Sequence, residues 1–485
     1  MDGGVSLQSD KSRRRLFYID ERRLSIIVFS LFFSWLLAFP FEGQVLYALA
    51  QQFAIDPHTM IFGSITVHFA GLFLCGFLIK SMSAARRLIQ VSIAYCIMSS
   101  SVFFFAPSIL WTVALISSAF LAGCCVAAWG FYFKSCTPPN QRIKTAADGL
   151  IYSNILMILM NMTAIHLSPY VGLAFSILIL CSALFFSARL PVNAQPVVIV
   201  QPENKEKNLS TVKPLLFLCL FITIITINSG LMYQVINPAF AHLEWLVSWY
   251  WAVPYIIALY IMKNLPGKTN RSYILYVAIA MIGFAFLAFM TLDRSAASYL
   301  LVNTLMLGAC GVYDLFWWSI LGEMLDLDKN PAKILGIGLS SNVLGVLLGG
   351  LIGNAIRTSG VSSYNPSVLA LVIVCITLVI LPPLHKYLST LLKNHAFLSV
   401  LSEMTQVEQG RAVSSFAMIG QLTGRESEIA SLLLKGRTYK MIAGELYLSE
   451  NTVKTHIKNI YSKFNIQSRM ELVNLMMEKN HSLPM

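Results

Sequence analysis

A chain of 485 residues with 56% hydrophobic side chains, only 12% charged ones and a mean hydropathy of +0.67 carries about half the charge of an ordinary soluble domain. That composition excludes a water-bathed globule and points to a polytopic membrane protein. The net charge of +12 must be placed along the chain before it is taken as a sign of nucleic-acid binding.

The amino end, 1–23, is polar and basic. No small-residue cleavage site follows the first apolar run, which is therefore expected to be a retained span. Twelve apolar stretches of about 20 residues follow, the length a helix needs to cross roughly 30 Å of hydrocarbon. They are 24–48, 58–80, 88–106, 111–133, 147–167, 170–188, 214–236, 246–262, 273–291, 297–322, 334–356 and 366–390. Lysine and arginine mark the cytoplasmic side. With the amino end inside, Arg22 and Arg23, Lys80, Arg86 and Arg87, Lys134, Arg142 and Lys144, Lys263, and Lys329 and Lys333 all fall on inner segments, whereas the outer turns hold only Arg294 and Arg357. Most of the positive charge is then membrane topology, and both termini are expected in the cytoplasm.

A proline-containing stretch of mixed charge, 189–213, separates a first bundle, 24–188, from a second, 214–390, of similar length. Six helices plus six resembles the major facilitator superfamily. After the second span "GFLIKSMSAARR" keeps Gly76, Leu78, Arg86 and Arg87 of that family's loop motif but has Lys80 where an aspartate stands, and the fourth span has no arginine. The resemblance implies a central cavity lined by spans one, four, seven and ten. Polar residues inside a membrane tend to face a cavity or a partner helix. On this basis Glu42, His68, Asn228, Tyr233, Trp251, Asp314 and Trp317 form the candidate ligand pocket, with Trp249, Tyr313 and Trp318 as further aromatic neighbours. Plainer roles stand beside these: tryptophans near span ends form interfacial belts, and Asn154, Asn161 and Asn228 are suited to bridging helices. Ser341, Gly345, Gly349 and Gly353 recur every four residues, the pattern of a close helix crossing. The nine cysteines pair with no histidine at metal-site spacing and read as filling, with no metal or cofactor implied.

Past a connecting segment, 391–420, that is either a flexible linker or a helix, the pattern changes. "TGRE", Thr423 to Glu426, is a capping box, followed by Ile429, Leu432 and Leu433 at helical spacing. A second helix opens at Thr438 with Ile442, Ala443 and Leu446 inward; Tyr447 and Leu448 turn the chain, and Ser449 caps a third helix to about Phe464. Two short helices joined by a tight turn make a helix-turn-helix. The region 421–485 resembles the LuxR-type, GerE-like DNA-binding domain through Leu422, Thr423, Arg425, Glu426, Gly436, Ile442, Ala443, Leu448, Ser449, Thr452, Val453, Lys454, His456, Asn459, Ile460, Lys463 and Arg469.

By that resemblance Lys454, Thr455 and Lys458 carry base-edge contacts in the major groove of double-stranded DNA, and Thr423, Ser449, Thr452, Lys463 and Arg469 contact the phosphate backbone. A fourth helix from Ser468, with Leu472, Leu475 and Met476, either dimerises or closes the small core. "GKT" at 267–269 lacks the glycine pattern of a phosphate-binding loop, and no catalytic triad is legible, so the expectation is a non-enzyme. The expectation is an all-α protein and, by these resemblances, a one-component transcriptional regulator embedded in a bacterial inner membrane, acting as a homodimer on DNA, addressing the transcription machinery and controlled by a small molecule, an aromatic one among the candidates. Its competitor is a secondary transporter with a fused regulatory domain.

Overall fold

The structure is a computed structural model. It describes residues 19–41, 43–192, 212–265, 271–358, 366–403, 422–434, 439–466 and 471–472. All regular elements among them are helical, and they fall into two compact units, the first ending at His385 and the second holding the helices from Gly424 on.

In the first unit the expected first span is not continuous. Helix α1, Glu21–Ala38, stops one residue before Phe39-Pro40, and α2, Gln44–Gln52, restarts beyond a turn. Pro40 lacks an amide hydrogen, and its ring pushes the preceding residue out of the helical region. Beyond α1 and α2, eleven helical stretches among the described residues are long and apolar enough to cross a membrane. The first half continues with α3, His58–Leu78; α4, Met82–Ser101; α5, Ile109–Ala128, prolonged by α6, Gly130–Ser135; α7, Arg142–His166; and α8, Pro169–Ser187. The second half comprises α9, Val212–Leu231, running into a π-helical turn Met232–Ile236; α10, Glu244–Tyr250, and α11, Val253–Lys263, which share one span; α12, Arg271–Thr291; α13, Ala296–Met324; α14, Pro331–Thr358; and α15, Pro366–Glu403. Since α15 runs to Glu403, the connecting segment expected from residue 391 begins as helix. The rest of that segment, and most of the expected linker 189–213, lie outside the described residues.

Large apolar side chains such as Leu78, Ile109, Leu178, Leu216 and Val379 stand exposed on the outside of this bundle. In hydrocarbon they need no burial, because only the backbone must be satisfied and the helix does that internally. The glycine seam expected on the eleventh span packs against α9: a Cβ at Gly349 would lie 2.2 Å from the Ile227 carbonyl oxygen. Backbones approach that closely only without side chains between them.

The two halves are fastened at both ends of α7. At its start Arg142, 1% exposed, donates to both carboxylate oxygens of Asp326 at 2.7 and 2.9 Å and to the Gly322 carbonyl at 2.7 Å. Lys263 of the second half pairs with Asp148 one and a half turns along α7, and Asn330 donates to the Gly76 and Ile79 carbonyls at 2.6 and 3.0 Å. At the far end of α7, His166 Nε2 meets Ser248 Oγ at 3.2 Å.

The second unit holds α16, Gly424–Leu434; α17, Tyr439–Glu445; and α18, Glu450–Lys463. Ile429, Leu433, Ile442, Val453, Ile457 and Ile460 form its core, and Leu472 is fully buried with them. Leu472 therefore serves the core. Ser468, Leu475 and Met476 lie outside the described residues.

Candidate nucleic-acid interface and membrane cavity

Helix α18 is set by its own sequence. The Ser449 hydroxyl accepts from the Thr452 amide at 3.1 Å and meets the Thr452 hydroxyl at 2.7 Å, satisfying one of the free donors of the first turn. Val453, Ile457 and Ile460 then bury one face. The opposite face exposes Asn451, Lys454, Thr455 and Lys458, spaced i, i+3, i+4 and i+7 along one stripe. Lys454 Nζ lies 3.2 Å from Glu450 Oε1, and the Thr455 hydroxyl donates to the Asn451 carbonyl at 3.0 Å. Lys458 makes no ion pair among the described residues. Ahead of α18 the chain turns through Tyr447, which has φ of 53° and is 96% exposed.

Glu426 is where the domain is tied together. Its carboxylate accepts from the Thr423 amide at 2.8 Å and the Thr423 hydroxyl at 3.0 Å, while the Glu426 amide donates back to that hydroxyl at 3.3 Å. Lys463, at the end of α18, donates to the same carboxylate oxygen at 2.6 Å. Burial pushes the Glu426 carboxyl up, but the hydrogen bonds from Lys463 and Thr423 more than offset this and hold it below the usual glutamate range. Thr423 and Lys463, expected at the phosphates, thus have partners inside the domain.

Between the halves of the membrane unit lies a cavity of about 160 Å³. His68, Asn154, Ser229, Tyr233, Trp251, Tyr255, Asp314, Trp318 and Asn342 supply its polar and large aromatic groups, set among leucine, valine and phenylalanine. The π-helical turn Met232–Ile236 places Tyr233 on the wall, an irregularity frequent at functional sites. The Tyr255 hydroxyl donates to Asp314 Oδ2 at 2.8 Å. His68 Nδ1 lies 3.1 Å from the Ala119 carbonyl, and its ring meets Phe41 edge-on.

Residues 420–476 match the family model described as bacterial regulatory proteins, luxR family. The spore germination protein GerE of Bacillus subtilis is 44% identical over 52 residues, which are 11% of this chain and 70% of that protein. The chain belongs to the luxR family of bacterial regulatory proteins. The uncharacterized response regulatory protein YgeK of Escherichia coli is 47% identical over 60 residues, and the nitrate/nitrite response regulator NarL of Escherichia coli is 43% identical over 53. The chain spans 41% and 24% of the lengths of these two relatives, and the likeness takes in only 12% and 11% of its own. The membrane unit has the major facilitator fold. It superposes on the human organic anion transporter MFSD10 with a TM-score of 0.57 at 15% identity, covering 76% of this chain and all of that one. On the proton:xylose symporter XylE the TM-score is 0.55 at 11% identity, covering 76% of this chain and 95% of that one.

In this luxR-family chain the structure brings Lys454, Thr455 and Lys458 together on one exposed face with Ser449 and Thr452 at its start, and adds Asn451, which carries no role in the sequence pattern. Arg469 lies outside the described residues, as does Glu42 of the expected pocket. Of the other expected pocket residues, His68, Tyr233, Trp251 and Asp314 line the cavity. Asn228 and Trp317 do not: both are 1% exposed with side-chain nitrogens that have no partner among the described residues, and the wall is formed instead by Ser229 and Trp318, one position on. Successive residues on a helix point about 100° apart, so a one-residue slip takes a side chain off the wall. Asn154, an expected helix bridge, bonds its own helix at the Leu150 carbonyl and faces the cavity. Tyr255 and Asn342 carry no signal in the sequence beyond lying in apolar runs.

Proposed function

We propose that this protein is a one-component transcriptional regulator embedded in the bacterial inner membrane, with a transporter-type bundle as small-molecule sensor and the luxR-family domain as a cytoplasmic DNA reader. The observation that carries it is the union, in one chain, of a major facilitator fold enclosing a cavity between its halves and a helix-turn-helix that leaves a polar, lysine-bearing stripe exposed. In this proposal Lys454, Thr455 and Lys458, with Asn451, reach base edges in the major groove, while Ser449 and Thr452 approach the phosphates at the start of α18. Arg469 is assigned to the phosphates as well. Lys463 and Thr423 serve mainly to hold Glu426. Two copies bind two half-sites, with transcription machinery as the downstream partner. A ligand shifts the equilibrium between arrangements of the halves only by the difference in its affinity for them.

The test is quantitative footprinting by the full-length protein in lipid nanodiscs on fragments of its genome. Lys454→Ala and Lys458→Ala should each relax discrimination at one base position by about 1–3 kcal/mol. Unchanged footprints for both variants contradict the assignment. A second reading, a secondary transporter with a fused regulatory domain, draws on the match along the whole length of MFSD10. Solute uptake into vesicles, abolished by Asp314→Asn, would favour it; ligand-dependent footprints without flux favour sensing.

A further inference from the structure

We infer that the cavity takes a small organic cation, a single-ring or short-chain amine, with Asp314 as its counter-ion. The inference rests on the bundle being a ligand sensor and adds the chemistry of what it senses.

Size comes first. An apolar protein cavity of about 150 Å³ accommodates benzene, so a cavity of about 160 Å³ has room for one ring and a few further atoms. Nucleotides, disaccharides and peptides are too large. Charge comes next. Among the described residues Asp314 and His68 are the carboxylic acid and the imidazole base on the wall, and neither lysine nor arginine lines it. Asp314 keeps intermediate exposure although its neighbours Tyr313 and Leu315 are buried, as a side chain opening on a cavity does. Tyr255 satisfies Oδ2, and no side chain or backbone group of the described residues bonds Oδ1. A carboxylate in such a setting needs a counter-charge or a proton, and two cations that tie the halves together are committed elsewhere, Arg142 to Asp326 and Lys263 to Asp148.

The imidazole on the wall has the same sense. Because the Ala119 carbonyl can only accept, His68 Nδ1 carries the hydrogen, which leaves Nε2 of the neutral ring an acceptor. Asp314 and His68 therefore each offer an acceptor to a donor-bearing ligand. Tyr233, Trp251 and Trp318 add aromatic rings, whose faces attract ammonium groups. An anion would meet Asp314 with neither lysine nor arginine among the described wall residues to compensate it.

The experiment is calorimetric titration of the full-length protein in nanodiscs with benzylamine, cyclohexylmethylamine and n-hexylamine, each beside the matching alcohol and carboxylate. At least one amine should bind saturably, tenfold or more tighter than its alcohol, with no binding of the carboxylate. Asp314→Asn should remove that preference and Asp314→Glu should retain it. Should Asp314→Asn fail to fold, Tyr255→Phe, which spares the carboxylate but removes its donor, should keep the preference. Equal binding of alcohol or carboxylate, an amine affinity unchanged in Asp314→Asn, or no binding of any amine overturns the cation site. The footprint is repeated with each compound to separate the two proposals. An amine that binds through Asp314 but leaves DNA occupancy unchanged upholds the cation site and contradicts sensing; an alcohol that shifts occupancy where no amine binds does the reverse.

Discussion

Lys463 shows how one side chain read as a DNA contact acquires a second employment in the fold. Its ammonium sits on the buried Glu426 carboxylate, 37 positions back in the chain. A charge-assisted hydrogen bond of this kind contributes about 1.5–3 kcal/mol, and Lys463's partial exposure brings the expectation to the lower end. Lys463→Ala and Glu426→Gln should each destabilise the domain, and the double variant should lose less than the sum, as read by hydrogen exchange of α16 amides in the full-length protein. Because the Glu426 carboxyl is held below its usual range, its stabilising contribution is complete above the unfolded-state value, about 4.3, and is lost as pH falls through the lower folded-state value. Exchange protection of α16 should drop across that acid window, and Glu426→Gln should flatten the drop. Tyr447 presents the opposite case: a non-glycine residue at φ of 53°, almost fully exposed. The left-handed conformation costs a side-chain-bearing residue roughly 1–2 kcal/mol, so Tyr447→Gly should raise protection of α17 and α18 amides modestly, glycine's greater unfolded-state freedom offsetting part of the gain. The capping box was legible because Thr423 and Glu426 are three residues apart. The Lys463 partner was not, because nothing local pairs residues so far apart.

At the scale of helices, capped and amphipathic elements are the ones the sequence describes best. Val453, Ile457 and Ile460 give α18 a face, and hence a direction to its lysines. The membrane helices are apolar on every side, so their length is legible but their rotation is not. That is why Asn228 and Trp317 stood for Ser229 and Trp318. The break of the first span is marked in the sequence by Pro40, but apolar length, which sets the span boundaries, does not register it. In the sequence Arg142 is one topological charge among many, and its bond to Asp326 across 184 residues appears only with the fold. Breaking a buried pair leaves an uncompensated charge, at a cost of about 3 kcal/mol or more. Arg142→Ala should accordingly loosen this end of the bundle. Pulsed electron-spin distances between labels at Ser81 and Lys329, one on each half, should lengthen and broaden, while Arg142→Lys should give a smaller change.

The whole molecule joins two pieces of known design, and its proposed behaviour follows from what each can bind. A transporter-type fold alternates between arrangements of its halves about a central site, and a helix-turn-helix pair reads half-sites about 34 Å apart. Taking the population from 1:99 to 99:1 requires a ligand preference of about 5.5 kcal/mol between arrangements, a demand that desolvated contact with Asp314 and the aromatic wall is suited to meet. The central claim is that a protein held in the membrane reads chromosomal sequence through α18. Its most direct test is covalent crosslinking in living cells, followed by recovery of DNA bound to the protein in the membrane fraction. Discrete genomic sites should be enriched with the native chain and lost with Lys454→Ala combined with Lys458→Ala; no enrichment, or the same sites with the double substitution, would contradict the account.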